Sequence, residues 1–133
     1  MKKNVFLAAA VALGTMLMAT PVFAGNYGWN RDGRGWWYQF SNGSYARSSW
    51  VSVNNSWYFM DASGYMKTGW LNDGGDWYYL DTNNGNMCMG WVNVNGNWYY
   101  MNPANGGRML ANGYTPDGYY VDGNGVYRPG VGT

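Results

Sequence analysis

Trp91-Val-Asn-Val-Asn-Gly-Asn-Trp98, continued by Tyr99-Tyr-Met-Asn102, is the stretch that decides how this chain folds. Asn95-Gly96 stands between two alternating runs, which is the strongest short-range signal for a hairpin closed by a two-residue type I′ turn. Gly74-Gly75 and Asn54-Asn55 hold the same place in the two preceding segments. A two-residue turn sets Trp70 opposite Tyr79, Leu71 opposite Tyr78 and Asn72 opposite Trp77. Because side chains alternate along a strand, Trp70, Trp77 and Tyr79 share one face of the hairpin. Leu71, Tyr78 and Leu80 share the other.

Outward from this stretch the pattern recurs. Trp37, Trp57, Trp77 and Trp98 are 20, 20 and 21 residues apart, and Trp29, Trp50, Trp70 and Trp91 are 21, 20 and 21 apart. The segments align as Trp57-Tyr-Phe-Met-Asp61, Trp77-Tyr-Tyr-Leu-Asp81, Trp98-Tyr-Tyr-Met-Asn102 and Gly118-Tyr-Tyr-Val-Asp122, with Trp37-Tyr-Gln-Phe-Ser41 as a looser first copy. Each is followed by a glycine, and Met66, Met87 and Met109 then lead into Gly69-Trp70, Gly90-Trp91 and Gly113-Tyr114. A lone hairpin is marginal in water, so about five copies are predicted to stack as an all-β solenoid. The Asp61 to Gly64 and Asp122 to Gly125 stretches link one hairpin to the next. Leucine-rich repeats have a similar period, but their leucine pattern is missing. Helical repeats fail because Gly and Asn fall in nearly every segment.

Composition narrows the function. Of 133 residues, 9 are Trp, 13 Tyr and 4 Phe, while charged residues make up 11% and His is absent. There is no Glu, so all seven acidic groups are Asp. Most general acid–base, zinc and Ser-His-Asp arrangements therefore lack their residues. Asp81-Thr-Asn-Asn-Gly85 faintly suggests a calcium loop, but no bidentate Glu exists to complete one. No metal or cofactor is expected, and no enzyme. A single cysteine excludes an internal disulfide. Cys88 aligns with Lys67 and Leu110, so it is expected to face solvent, where an odd cysteine allows pairing between two copies of a secreted chain.

At the N-terminus, Lys2 and Lys3 precede an apolar run from Val5 to Met18 and the small-residue pattern Val22-Phe23-Ala24. This reads as a secretory signal peptide over residues 1–24, leaving a repeat domain over 25–133. The mature part holds six basic and seven acidic side chains, a net charge of −1. That balance argues against nucleic acid as a partner, and no membrane contact is expected once the leader is removed.

The repeats resemble the choline-binding, or cell-wall-binding, repeats of Gram-positive surface proteins and cell-wall hydrolases. Met66-Lys-Thr-Gly-Trp70 followed by Trp77-Tyr-Tyr-Leu-Asp81 is nearly a consensus copy of that pattern. The ends depart from it: the first copy has one extra residue between Trp29 and Trp37, and the last has Tyr114 and Gly118 in place of its tryptophans. The resemblance implies a left-handed solenoid that cages choline between two tryptophans of one hairpin and a tyrosine of the next. Carried over, the cages are Trp50, Trp57 and Tyr78; Trp70, Trp77 and Tyr99; and Trp91, Trp98 and Tyr119. Trp29, Trp37 and Tyr58 form a weaker fourth. The first tyrosine of each Trp-Tyr-Tyr is taken here, the second being the alternative. The methionines are assigned to packing along the spine. The implied function is a secreted protein of the cell wall and surface that attaches noncovalently to choline or phosphocholine on teichoic acids. A glucan-binding repeat is the alternative, since sugar rings would stack on the same aromatic faces.

Overall fold

A computed structural model of the chain describes residues 5–7 and 27–131. It is all-β apart from one short 3-10 turn at Pro103–Asn105. The strands are β1 (Val5–Leu7), β2 (Gly28–Asp32), β3 (Gly35–Gln39), β4 (Ser49–Val53), β5 (Ser56–Met60), β6 (Gly69–Asp73), β7 (Asp76–Leu80), β8 (Gly90–Val94), β9 (Asn97–Asn102), β10 (Arg108–Met109), β11 (Gly113–Tyr114) and β12 (Tyr120–Val121). Five antiparallel hairpins follow one another: β2–β3, β4–β5, β6–β7, β8–β9 and a shortened β11–β12.

The turn residues account for the register. Asn54 and Asn55 have φ of 51° and 68°, Gly74 and Gly75 65° and 94°, and Asn95 and Gly96 53° and 90°. Two consecutive left-handed residues are what a type I′ turn requires. The pairing that results is the one expected: Trp70 with Tyr79, Leu71 with Tyr78, Asn72 with Trp77.

Three hairpins, β4–β5, β6–β7 and β11–β12, run into a link led by Asp61, Asp81 and Asp122, whereas Ser41 and Asn102 hold that place after β3 and β9. The Asp61 carboxylate accepts hydrogen bonds from the backbone N–H groups of Ser63 and Tyr65 at 2.9 and 3.0 Å. The Asp122 carboxylate does the same for Asn124 and Val126, at 2.9 Å each. The link returns the chain to the second strand of its hairpin, so that Met66 bridges Met60, Met87 bridges Leu80, Met109 pairs with Met101 and Tyr127 bridges Val121.

The chain divides into two units, residues 1–68 with 82–86, and residues 69–81 with 87–133. Unit one holds β1 to β5. There the Met66 N–H donates to the Trp36 carbonyl at 2.7 Å, which stacks the second hairpin on the first. Its core is Tyr38, Phe40, Ala46, Val51 and Met60, with Trp29, Val53, Tyr58 and Met66 packed around it. Unit two holds β6 to β12, and the Tyr127 N–H donates to the Trp98 carbonyl at 2.9 Å. Leu71, Tyr78, Leu80, Met101 and Val121 are its buried side chains. Fully burying an apolar side chain of this size stabilises by roughly 1.5–3 kcal/mol, so the repeats hold one another.

The predicted leader over 1–24 lies outside the described residues except for β1. That strand pairs in parallel with β4, Val5 opposite Trp50, a pairing that local periodicity does not indicate. Cys88 is half buried, not solvent-facing. Its N–H bonds to the Tyr79 carbonyl, and burial pushes its thiol pKa up, with Asp81 adding to the effect.

Candidate functional site: aromatic clefts

The face that carries two tryptophans per hairpin opens into clefts. In unit two, Trp70, Trp77, Tyr99 and Met109 surround a space of about 380 Å³ that reaches Gly123 and Asn124. Trp70 meets Trp77 at 6.1 Å and 88°, and Tyr99 at 4.8 Å and 77°. Rings held edge to face in this way form walls instead of a stack. Trp77 remains 43% exposed and serves as the outer wall. At the inner end a Cβ on Gly125 would collide with the Met109 sulfur, and Gly125 also has φ of +81°. Only glycine satisfies both conditions, and its bareness leaves room for Met109, which lines the cleft.

The second cleft of unit two, about 310 Å³, is lined by Trp91, Trp98, Tyr119 and Tyr127. Trp91 lies 6.1 Å from Tyr119 and 5.8 Å from Tyr127, and those tyrosines are 5.7 Å apart. The Asp117 carboxylate accepts from the Trp91 indole N–H at 3.4 Å. A 2.6 Å hydrogen bond from the Thr115 hydroxyl orients Asp117 and is the main reason its pKa falls below the usual carboxylate value.

Unit one also carries a cleft, about 490 Å³. Trp29, Trp36, Tyr58 and Met66 form its aromatic and thioether side, and Ser56, Asn83, Asn84 and Asn86 its polar side. Trp29 meets Trp36 at 6.3 Å and Tyr58 at 4.9 Å.

The structure brings together Trp70, Trp77 and Tyr99, and likewise Trp91, Trp98 and Tyr119. The first tyrosine of each Trp-Tyr-Tyr is the one that reaches the preceding hairpin, as Trp70–Tyr99 and Trp91–Tyr119 show. The second packs on its own hairpin's tryptophan: Tyr79 on Trp70 at 5.0 Å, Tyr100 on Trp91 at 5.2 Å. Alternation explains the division of labour, because the first tyrosine points from the opposite face of its strand. Trp50 and Trp57 lie in unit one, Trp50 fully buried against Phe59 at 5.4 Å and Trp57 half buried. Tyr78 lies in unit two at the register of Tyr58 and Tyr99, buried opposite Leu71.

Trp37 is a correction. The structure pairs Arg31 with Trp36 and Asn30 with Trp37, so Trp36 takes the place that Trp77 holds in its hairpin. Trp37 is 4% exposed on the other face, against Tyr65. The doubled tryptophan caused the slip, and a slip of one residue moves a side chain across the sheet. The 21-residue interval from Trp36 to Trp57, equal to that from Trp29 to Trp50, was the available signal. The methionines, assigned to the spine, do more, and Tyr127 was not anticipated. Met66 and Met109 line clefts besides packing the spine, and Tyr127 occupies the methionine position of the last repeat. Nothing local marks Tyr127, since its register is defined by the bridge to Val121.

Chemically, the two clefts of unit two present ring faces with few hydrogen-bonding groups. They suit a group of diffuse positive charge that has no donor to offer. Among the described residues no group of three or more His, Cys, Asp or Glu is placed to hold a metal ion. No helix there is long and apolar enough to cross a membrane.

Residues 46–89 match the choline-binding repeat model, and residues 89–106 match a cell wall binding repeat model. The choline binding domain of Spr1274 from Streptococcus pneumoniae is 41% identical, with 59% of this chain covering 92% of that one at a TM-score of 0.54. Choline binding protein F of S. pneumoniae, solved with a peptidoglycan analogue, is 40% identical over 77% of this chain, TM-score 0.70. The present chain spans 33% of that protein. The Cpl-1 endolysin of phage Cp-1, solved with choline, is 30% identical over 90% of this chain and 41% of its own, TM-score 0.59. No curated protein matches.

Proposed function

The chain belongs to the choline-binding repeat family, and from that membership we propose that it is a binding module, not an enzyme. In this reading it is secreted after removal of residues 1–24 and attaches noncovalently to choline carried on wall teichoic acids. The observation that carries the reading is the pair of ring-walled clefts in unit two, Trp70–Trp77–Tyr99 and Trp91–Trp98–Tyr119. A trimethylammonium group offers no hydrogen-bond donor, so directed polar groups cannot grip it, whereas ring faces attract it by roughly 0.5–2 kcal/mol each. Three rings supply on the order of 2–5 kcal/mol, which is about millimolar affinity. One such site is a weak anchor. Several on one chain, meeting a polymer with many cholines, gain avidity of about a hundredfold or more without any new contact. The repetition thereby serves the attachment.

Tryptophan fluorescence tests this. Titrating choline into the protein is expected to change the emission saturably in the millimolar range. A flat response up to tens of millimolar choline, alongside saturable quenching by dextran, would replace the choline reading with the glucan one.

A further inference from the structure

We propose that the cleft of unit one is a site for a neutral, hydroxyl-rich sugar ring and not for a quaternary ammonium. This rests on the reading of the unit-two clefts as choline sites and concerns a cleft that departs from them.

The first departure is electrostatic. The Arg31 guanidinium lies 5.7 Å from the centroid of Trp36, so the ring that would attract a cation already has one. A second cation entering there meets like-charge repulsion that the Trp77 and Trp98 sites lack. The surroundings reinforce this. From residue 27 onward, unit one carries four basic side chains (Arg31, Arg34, Arg47, Lys67) against Asp32 and Asp61. Unit two carries two, Arg108 and Arg128, against five aspartates.

The second departure is the wall. Asn83, Asn84 and Asn86 line the cleft together with Ser56. An amide presents two donors and an acceptor, and a hydroxyl one donor and two lone pairs, which match the adjacent hydroxyls of a sugar. Such groups have nothing to give three methyl groups. Trp36, 41% exposed, offers a flat face whose negative quadrupole attracts the polarised C–H bonds of a pyranose. One apolar stacking face with a few convergent polar groups is the usual makeup of a small-ligand site. Carried on one chain, the two kinds of cleft would take hold of a wall polymer by its choline groups and by its sugars.

The test is a titration of the full chain followed by the indole N–H resonances, those of Trp36, Trp77 and Trp98 identified by Trp→Phe substitution. The probes are choline, a tetramer of N-acetylglucosamine and inorganic phosphate. The tetramer is expected to shift Trp36 saturably, and choline to shift Trp77 and Trp98 at concentrations about tenfold below any response of Trp36. The double variant Asn83→Ala/Asn84→Ala, checked for unchanged circular dichroism, should weaken the sugar titration about tenfold and leave the choline titration of Trp77 in place. Arg31→Gln should bring the choline midpoint at Trp36 toward that of Trp77. A Trp36 that ignores the tetramer, follows phosphate instead, or responds to choline with the same midpoint as Trp77 overturns the proposal. Failure of Trp77 and Trp98 to respond to choline overturns the choline reading, and the tetramer titration of Trp36 still decides this one.

Discussion

Neighbouring side chains on β7 separate binding from folding. Trp77 is 43% exposed and forms the outer wall of a cleft, whereas Tyr78, the next residue, is 1% exposed on the opposite face. Trp77→Ala is therefore expected to leave the unfolding midpoint nearly unchanged while weakening retention on a choline-like resin. Tyr78→Ala removes a buried ring, and by analogy with other large aromatic truncations costs about 3–5 kcal/mol, visible as a large fall in the denaturant midpoint. If Trp77→Ala unfolds the protein as readily, the ring is core and the cleft reading is wrong. The same contrast shows what was legible at this scale. Which residues face which way follows from alternation once the turn is known, so Trp70 and Trp77 were readable on one face, whereas Tyr99 of the next hairpin came only from the family resemblance. Trp37 differs because two adjacent tryptophans offer two registers, and the pairing of Arg31 with Trp36 chooses the one that the 21-residue interval to Trp57 also marks.

At the scale of the element, the repeat depends on two backbone demands, the turn and the close approach of a methionine to the link. The turns were legible because Asn-Gly and Gly-Gly declare their conformation. The methionine contact was not, because it joins residues from successive copies. Met109 lies against Gly125, and Met66 against Gly85. Gly125→Ala adds a methyl group where the sulfur already sits and places an alanine at φ of +81°. Overpacking alone costs about 1–3 kcal/mol, and the left-handed conformation adds roughly 1–2 kcal/mol. The expected result is a clear loss of stability in denaturant melts together with weakened choline binding, as Met109 is driven toward Trp70 and Trp77. Gly96→Ala, in an open turn with nothing near the added methyl group, should show the backbone cost alone and leave binding intact. Equal losses from the two substitutions would mean that the methionine contact contributes nothing.

For the whole molecule, the ionisable groups set a window of stability that is open at neutral pH and closed at both ends. On the acid side, Asp32 is held below the ordinary carboxylate value first by the Arg34 N–H and then by the Tyr65 hydroxyl. Asp122 is lowered first by Arg128, 2.7 Å away, and then by the Val126 N–H. Asp117 is lowered first by Thr115. A carboxylate with a lower pKa in the folded state contributes stability above its unfolded value of 3.8 and loses it as pH falls toward the folded value. Asp32 and Asp117 are exposed, and Asp122 is half-buried beside an exposed Arg128, so screening should leave the acid limb shallow and salt-sensitive. On the alkaline side the strongest group is Tyr78, whose phenol is pushed up to about 12 by burial, with Asp76 and Asp73 adding to it. A raised phenol contributes stability that is whole below the unfolded value of 10 and lost as pH climbs toward about 12. The alkaline limb should therefore be steep and nearly independent of salt, because it reports removal of a buried proton and not a surface ion pair. Melting temperature measured across pH at low and high salt, with phenolate absorbance recorded in parallel, checks both limbs. Tyr78→Phe should hold the melting temperature to higher pH than the parent. If Tyr78→Phe leaves the alkaline limb where it was, Tyr78 is not the residue that closes the window.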